Sequence, residues 1–130
     1  MLIEKTLQRT ADALPDVDVL VLFGSRAGGS ARANSDVDVA VGLSGRSAEV
    51  RRAVEVAFAR AVHRPVDVSF LDTAPPQLRF EMARSGVLLF ERTQGAWARE
   101  RARAMVDWWD WAPLAREIHD RAVARLRAEA

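Results

Sequence analysis

Two carboxylates two residues apart, Asp36 and Asp38, open one apolar run of the chain. A glycine–serine pair, Gly24-Ser25, closes the run before it. A loop of small residues lies between them and carries Arg26 and Arg32. On a strand, residues two apart face one side, so the two carboxylates share a face. They repel each other unless a cation sits between them. Hard oxygen donors suit Mg²⁺, which takes a few carboxylates together with substrate phosphates. Gly24 lets backbone amides come close to an anion. Ser25 adds a hydroxyl, and a helix starting there would aim its free N–H groups at the same place. Serving as a helix cap would not conflict with that. A phosphate loop beside a Mg²⁺ ligand pair implies a nucleotide site for phosphoryl or nucleotidyl transfer.

An isolated Asp-x-Asp is more often the exposed start of a strand. Joined to Gly24-Ser25 at this spacing, and with Asp67 available further on, the metal reading is the better one. Asp67 can also be read as a solvated strand position. Asp72 rivals it, but falls at the end of its run and suits a turn. Arg26 reads equally as a phosphate or partner contact and as a solvated loop charge. His63 and His119 lack a partner at useful spacing. The first reads as a turn residue and the second as helix surface, and neither is assigned to catalysis.

The elements that must hold these groups can be read from periodicity. Ile3, Leu7, Ala11 and Leu14 recur at helical spacing over 2–14, and Pro15-Asp16 ends that helix. Val17–Phe23 reads as a strand with Val17, Val19, Val21 and Phe23 on one face and Asp18, Leu20 and Leu22 on the other. Asp36–Gly42 reads as a second strand, with Val37, Val39 and Val41 opposite the acids. Ser44-Gly45-Arg46 is a turn, and Ser47 can cap a helix over 47–62 striped by Val50, Val54, Ala57, Phe58 and Ala61. Pro65 precedes a third strand, Val66–Leu71, where Asp67 lies opposite Phe70's face, as Asp36 and Asp38 lie opposite their valines. Prolines start a helix over Leu78–Ser85 that Gly86 ends as its C-cap. Val87–Phe90 is a short strand. From Gln94 onward the pattern is helical. Pro113 is expected to kink or split it, and Ile118, Ala122 and Leu126 form the inner face of its last part. Trp108 and Trp109 diverge by ~100° on a helix. Core packing therefore takes one or two rings of the Trp108, Trp109, Trp111 group. The remainder faces a partner or lies under the C-terminal helix.

Composition sets bounds. The chain has 130 residues, the size of one domain with a real core. Its net charge of +1 makes no electrostatic case for nucleic acid as the main partner. Lys5 is the only lysine among 19 basic residues, a bias that fits a GC-rich genome. With no cysteine, disulfides and thiolate metal sites are excluded. No apolar run is long enough to span a membrane. The N-terminus reads as an amphipathic helix and not as a signal peptide, so the cytoplasm is the expected location.

Gly24-Ser25, ten residues, then Asp36-x-Asp38 resembles the signature of the nucleotidyltransferases with a DNA polymerase beta-like core. The stretches Val66-Asp67-Val68, Ala74-Pro75-Pro76-Gln77-Leu78-Arg79-Phe80-Glu81 and Ser85-Gly86-Val87-Leu88-Leu89-Phe90-Glu91 narrow this. They are similar to the minimal nucleotidyltransferases, the MntA-like antitoxins of HEPN/MNT toxin–antitoxin pairs. The resemblance runs from about Leu14 to Glu91 and weakly into 111–125. It implies an α/β (α+β) fold, a small mixed sheet flanked by helices, with a nucleotidyltransferase core over 1–92. A C-terminal helical extension over 93–130 would pack on the same domain.

It also implies ATP as substrate and two Mg²⁺ ions. Gly24, Ser25 and Arg26 would hold the nucleotide, and Asp36 and Asp38 would bind metal. Asp67 would bind the second metal or help deprotonate the acceptor. The family loop often reads Gly-Ser-Arg-Ala-Arg-Gly, and here Gly28 stands where the second arginine would be. In such antitoxins the acceptor is a tyrosine of a HEPN ribonuclease toxin, silenced by AMP. The implied activity is therefore a protein adenylyltransferase, assembled with its toxin or with itself. Two other classes stay open: the same transfer to a small molecule, and a non-catalytic antitoxin that occludes its toxin.

Overall fold

β-branched residues crowd the segment Val17–Phe23, and this strand, β1, becomes one of the two inner strands of the sheet. The computed structural model describes residues 2–24, 36–45 and 47–129. The order is α1 (Leu2–Ala13), β1, β2 (Val37–Leu43), α2 (Ala48–Val62), β3 (Val66–Phe70), α3 (Pro76–Ser85), β4 (Val87–Glu91) and α4 (Ala96–Glu129). The four strands form one mixed sheet in the order β3-β2-β1-β4. β1 runs antiparallel to β2 and β4, while β2 and β3 are parallel. A parallel pair needs a crossover, and α2 supplies it.

Each face of the sheet has its own apolar cluster. Val37, Val39 and Val41 of β2 pack with Leu7 and Ala11 of α1, Val54 and Phe58 of α2, and Phe70 of β3. On the other face Val19, Val21 and Ala40 pack with Leu71, Met82 of α3 and Trp97 of α4. The alternation in β1 differs from the sequence expectation at its start. The β1–β2 register shifts between Val17 and Val19, and Val17 joins Leu20 and Leu22 in the first cluster. An irregularity of one residue sends a side chain to the other face.

The caps follow local chemistry. Ser47 accepts a 3.1 Å hydrogen bond from the Val50 N–H at the head of α2. Pro76 occupies the first turn of α3, where its missing N–H is not needed. Gly86 does cap α3, but in an extended conformation (φ −71°) and not the left-handed one. It is glycine for space: a Cβ there would collide with the Met82 carbonyl and lie 2.5 Å from Val21 Cγ1.

Arg92 ties the ends of several elements together. Its guanidinium donates to the carbonyls of Val17 (3.1 Å), Ala11 (3.2 Å), Asp12 (3.4 Å) and Leu14 (3.0 Å), and it lies over the Phe90 ring. The last carbonyls of α1 thus gain charged donors.

Pro113 does not split the C-terminal helix. α4 runs unbroken through it for 34 residues. Its first half is packed. Trp97 and Ala104 are buried, and Trp108 stacks on Phe80 with centroids 5.0 Å apart and tilts against Trp111 at 5.7 Å. Trp109 is 67% exposed. The expected inner face of the last part is not covered by the described residues: Ile118 and Leu126 are 58% and 67% exposed. No described helix is long and apolar enough to cross a membrane.

Candidate functional site

The strand register decides which acids meet. Asp38, the second residue of β2, lies between Phe23 of β1 and Asp67 of β3, with both as direct cross-strand partners. Cross-strand partners point to the same face, so Asp38 and Asp67 project side by side. Asp36 precedes β2 by one residue, two before Asp38, and is exposed. The opposite side of β2 is buried valine. The acids therefore sit on the face covered by α3 and α4, on the row next to Val21, Ala40 and Ser69.

Gly24 follows β1 in a left-handed conformation, φ +76°. A Cβ built there would lie 2.5 Å from Asp38 Oδ2 and 3.3 Å from its Cγ. Two reasons for glycine coincide: the dihedral disfavours any side chain, and the space belongs to the Asp38 carboxylate. The sequence suggested a different reason, a glycine that lets backbone amides come close to an anion. It did not show that Gly24 and Asp38 touch, because that follows from the Phe23–Asp38 pairing.

Electrostatics mark Asp38. Burial holds its carboxyl above the ordinary carboxylate value, and the negative charges of Asp67 and then Asp36 push the same way. A side-chain hydrogen bond with Asp67 adds to the shift, since a protonated Asp38 can donate to its neighbour. A site built of such groups has a use for a cation.

Among the described residues no three acidic or histidine side chains already converge as a cage. The donors nonetheless fit a hard divalent ion. All are carboxylate oxygens, two stand side by side on neighbouring strands, and the third lies two residues along. Mg²⁺ tolerates such a partial set because it keeps waters and takes phosphate oxygens. Ser25 and Arg26, together with Gly28 and Arg32, lie outside the described residues. Asp72, the rival acid, is away from this cluster: its carboxylate takes the Arg51 guanidinium, with one contact of 3.0 Å. His63 closes α2 as its left-handed C-cap (φ 56°), and His119 is exposed on α4.

The family described as "Polymerase beta, Nucleotidyltransferase" matches residues 5–95. No curated protein matches the chain. Among solved structures, one is a crystal structure of a toxin–antitoxin with AMP-PNP. It shares 22% identity at a TM-score of 0.79 and covers 92% of this chain and 98% of that one. A second is a tri-AMPylated Shewanella oneidensis HEPN toxin in complex with MNT antitoxin. It shares 21% identity at a TM-score of 0.75, covering 94% and 97% of the two chains. A third, the toxin–antitoxin MntA-HepT, shares 22% identity at 0.75, with 94% and 97% covered. At such identities the likeness is one of fold, and coverage of 92–94% of this chain means that it reaches into the 34-residue C-terminal helix.

Proposed function

The chain belongs to the polymerase beta nucleotidyltransferase family, and from that premise we propose that it transfers AMP from ATP to a hydroxyl, a tyrosine, of a cognate HEPN-type toxin and so acts as its antitoxin. The observation that carries this reading is the Asp38–Asp67 pair, set side by side by strand register beneath a glycine whose Cβ would crowd the Asp38 carboxylate. The similar solved structures support the acceptor: one contains an AMPylated HEPN toxin, another AMP-PNP. The chain spans nearly the whole length of those matched chains, and the acceptor hydroxyl in this reading is the toxin's.

Asp36, Asp38 and Asp67 would hold Mg²⁺, which when bound offsets triphosphate charge and polarises the reacting oxygens. The chain's own contribution is positioning. Gly24, with Ser25 and Arg26, cradles the phosphates so that the α-phosphorus is open to in-line attack. The tyrosine oxygen forms a bond to that phosphorus, and the bond to the bridging oxygen of the β-phosphate breaks, releasing pyrophosphate. Asp67, the more exposed of the paired carboxylates, receives the phenolic proton. Asp38 holds its place under Gly24 and orients the carboxylate set.

Intact-mass spectrometry tests the reading. The HEPN-type partner is incubated with this protein, ATP and Mg²⁺, with the Asp36→Ala/Asp38→Ala double variant alongside. A gain of one or more AMP units that the variant cannot produce is expected. No gain despite a stable complex would replace catalysis by occlusion. No gain and no complex would move the acceptor to a small molecule.

A further inference from the structure

The row of side chains that holds the acids ends in an aromatic ring. At the level of Asp38, this face of the sheet carries Asp67 on β3, Asp38 on β2 and Phe23 on β1. Neighbouring strands lie about 4.8 Å apart, so Phe23 stands one strand from Asp38 and two from Asp67. Part of Phe23 packs against the cluster of Val19, Val21, Met82 and Trp97, and the side chain is only half-buried.

β1 outlasts its outer neighbour at this corner. The β1–β4 pairing reaches Leu22–Val87 and goes no further, so Phe23 has no partner on β4. Leu88 pairs with Val21 and therefore points to the same face. It lies diagonal to Phe23, a separation that an aromatic side chain can reach, and it is 38% exposed. Phe23 and Leu88 thus form an apolar shelf whose inner end is the Asp38 carboxylate. The other apolar residues that the register sets around Asp38 are Val21 and Ala40, and both are fully buried. Single exposed apolar residues are ordinary. This shelf differs by its place, directly beside three carboxylates.

Hydroxyl acceptors differ in what they can do with such a surface. A serine, threonine or sugar hydroxyl carries little apolar body. A phenol is apolar at one end and polar at the other. Its ring fits the shelf while its oxygen reaches over Asp38 towards Asp67. We infer that Phe23, with Leu88 beside it, is the wall that receives the acceptor's aromatic ring and so selects phenolic over aliphatic hydroxyls. This rests on the reading of the chain as a protein adenylyltransferase and gives that reading a specificity-determining residue. Stacked rings are worth about a twofold to tenfold preference over an aliphatic contact. Adenine is the other flat ring in the reaction, and nucleotide affinity tells the two occupants apart.

The test uses the full chain, the purified HEPN-type partner, ATP and Mg²⁺. Phe23→Leu keeps apolar bulk and removes the ring, and Phe23→Tyr keeps the ring. Leu88→Gln alters an exposed position and carries the test should Phe23→Leu melt early in circular dichroism. In Phe23→Leu, kcat/KM for the partner is expected to fall about twofold to tenfold, and in Leu88→Gln by about twofold. Phe23→Tyr should stay close to the wild type. Affinity for a non-hydrolysable ATP analogue, by titration calorimetry without the partner, should not change. Nor should the Mg²⁺ concentration that gives half the maximal rate. Fragmentation of the wild-type product should place AMP on a tyrosine.

Undiminished kcat/KM in Phe23→Leu and Leu88→Gln overturns the wall and leaves the transfer chemistry standing. So does a Phe23→Tyr variant as impaired as Phe23→Leu, or AMP found on a serine or threonine. Weaker binding of the analogue gives the ring to adenine and overturns it. A raised Mg²⁺ requirement means that Phe23 only holds Asp38 in place, and overturns it too. No transfer by the wild type removes the adenylyltransferase reading itself, and the wall with it.

Discussion

Most acids placed in detail in this fold are met by a donor, and Asp38 is met by another acid. Asp72 takes Arg51, Asp107 takes Arg79, and the Glu91 carboxylate accepts from the N–H groups of Gly95 and Trp97 at the start of α4. Those carboxylates hold turns and helices in place. Asp38 lies beside Asp67 with Asp36 close behind, and its carboxyl is held above the usual range by burial and by those two charges. The contrast separates groups the fold uses for itself from groups it keeps available. Like charges crowded on a partly buried carboxyl are costly unless a cation offsets them, and that is the physical content of the proposed cation site.

The largest effect that would break this contrast is at Asp38. Asp38→Asn should reduce AMP transfer on the order of 10³-fold, yet raise the melting temperature of the Mg²⁺-free protein by a few degrees, because a repulsion has gone. Loss of activity with loss of stability would mean that Asp38 is structural after all. Gly24→Ala comes next. The added methyl must displace the Asp38 carboxylate, and a displacement of about 1 Å costs on the order of 10²-fold in rate. A full-rate Gly24→Ala variant would detach Gly24 from the site.

Arg92→Ala should do the reverse of Asp38→Asn. Losing the shared donor of four carbonyls should cost about 2 kcal/mol, a fall in melting temperature of roughly 6–10 °C. The rate at low temperature should be preserved. pH sharpens the comparison. A carboxyl whose folded pKa is raised binds its proton more readily when folded, so the folded state gains as pH falls through that value towards ~4. The Mg²⁺-free protein should therefore melt higher as pH is lowered through this window, and Asp38→Asn should flatten that slope. Smallest is Asp72→Asn. Its pair with Arg51 is partly exposed, so the loss should be under ~1 kcal/mol, weaker still in high salt, with transfer unchanged.

The sequence carried much of this. β-branched alternation located β1, β2 and β3 to within a residue, and the Gly24-Ser25 and Asp36-x-Asp38 spacing, with the family resemblance, placed the nucleotidyltransferase fold. The rest depends on contacts between distant segments. The face taken by Val17 follows from a register shift, which no local pattern reports. Gly86 was legible as the C-cap of α3, and it is one, but its close approach to Val21 was not legible. Pro113 was expected to kink or split the C-terminal helical region, and it does not split it: one helix continues through it. The stripe Ile118, Ala122, Leu126 was read as an inner face by period. Period shows which side is apolar and not whether anything lies against it. Arg92 was not legible at all, since its acceptors are backbone carbonyls 75 to 81 residues away.

That reach imposes an order on synthesis. β1 is made early, pairs with β2, and then waits for β4, which arrives only after α2, β3 and α3 have been made. Translation at ~5–20 residues per second leaves the outer edge of β1 open for seconds. Over that interval the carbonyls at the end of α1 also lack Arg92. The nascent chain thus holds three of its four strands, with Asp36, Asp38 and Asp67 on them or beside them, before it is closed as a domain. A ribosome-stalled chain ending at β3 should be cut by protease within β1, and one extended past Arg92 should resist. The final latch comes from the chain's own late residues, so the young protein is most vulnerable, and most in need of a chaperone, before residue 92 emerges.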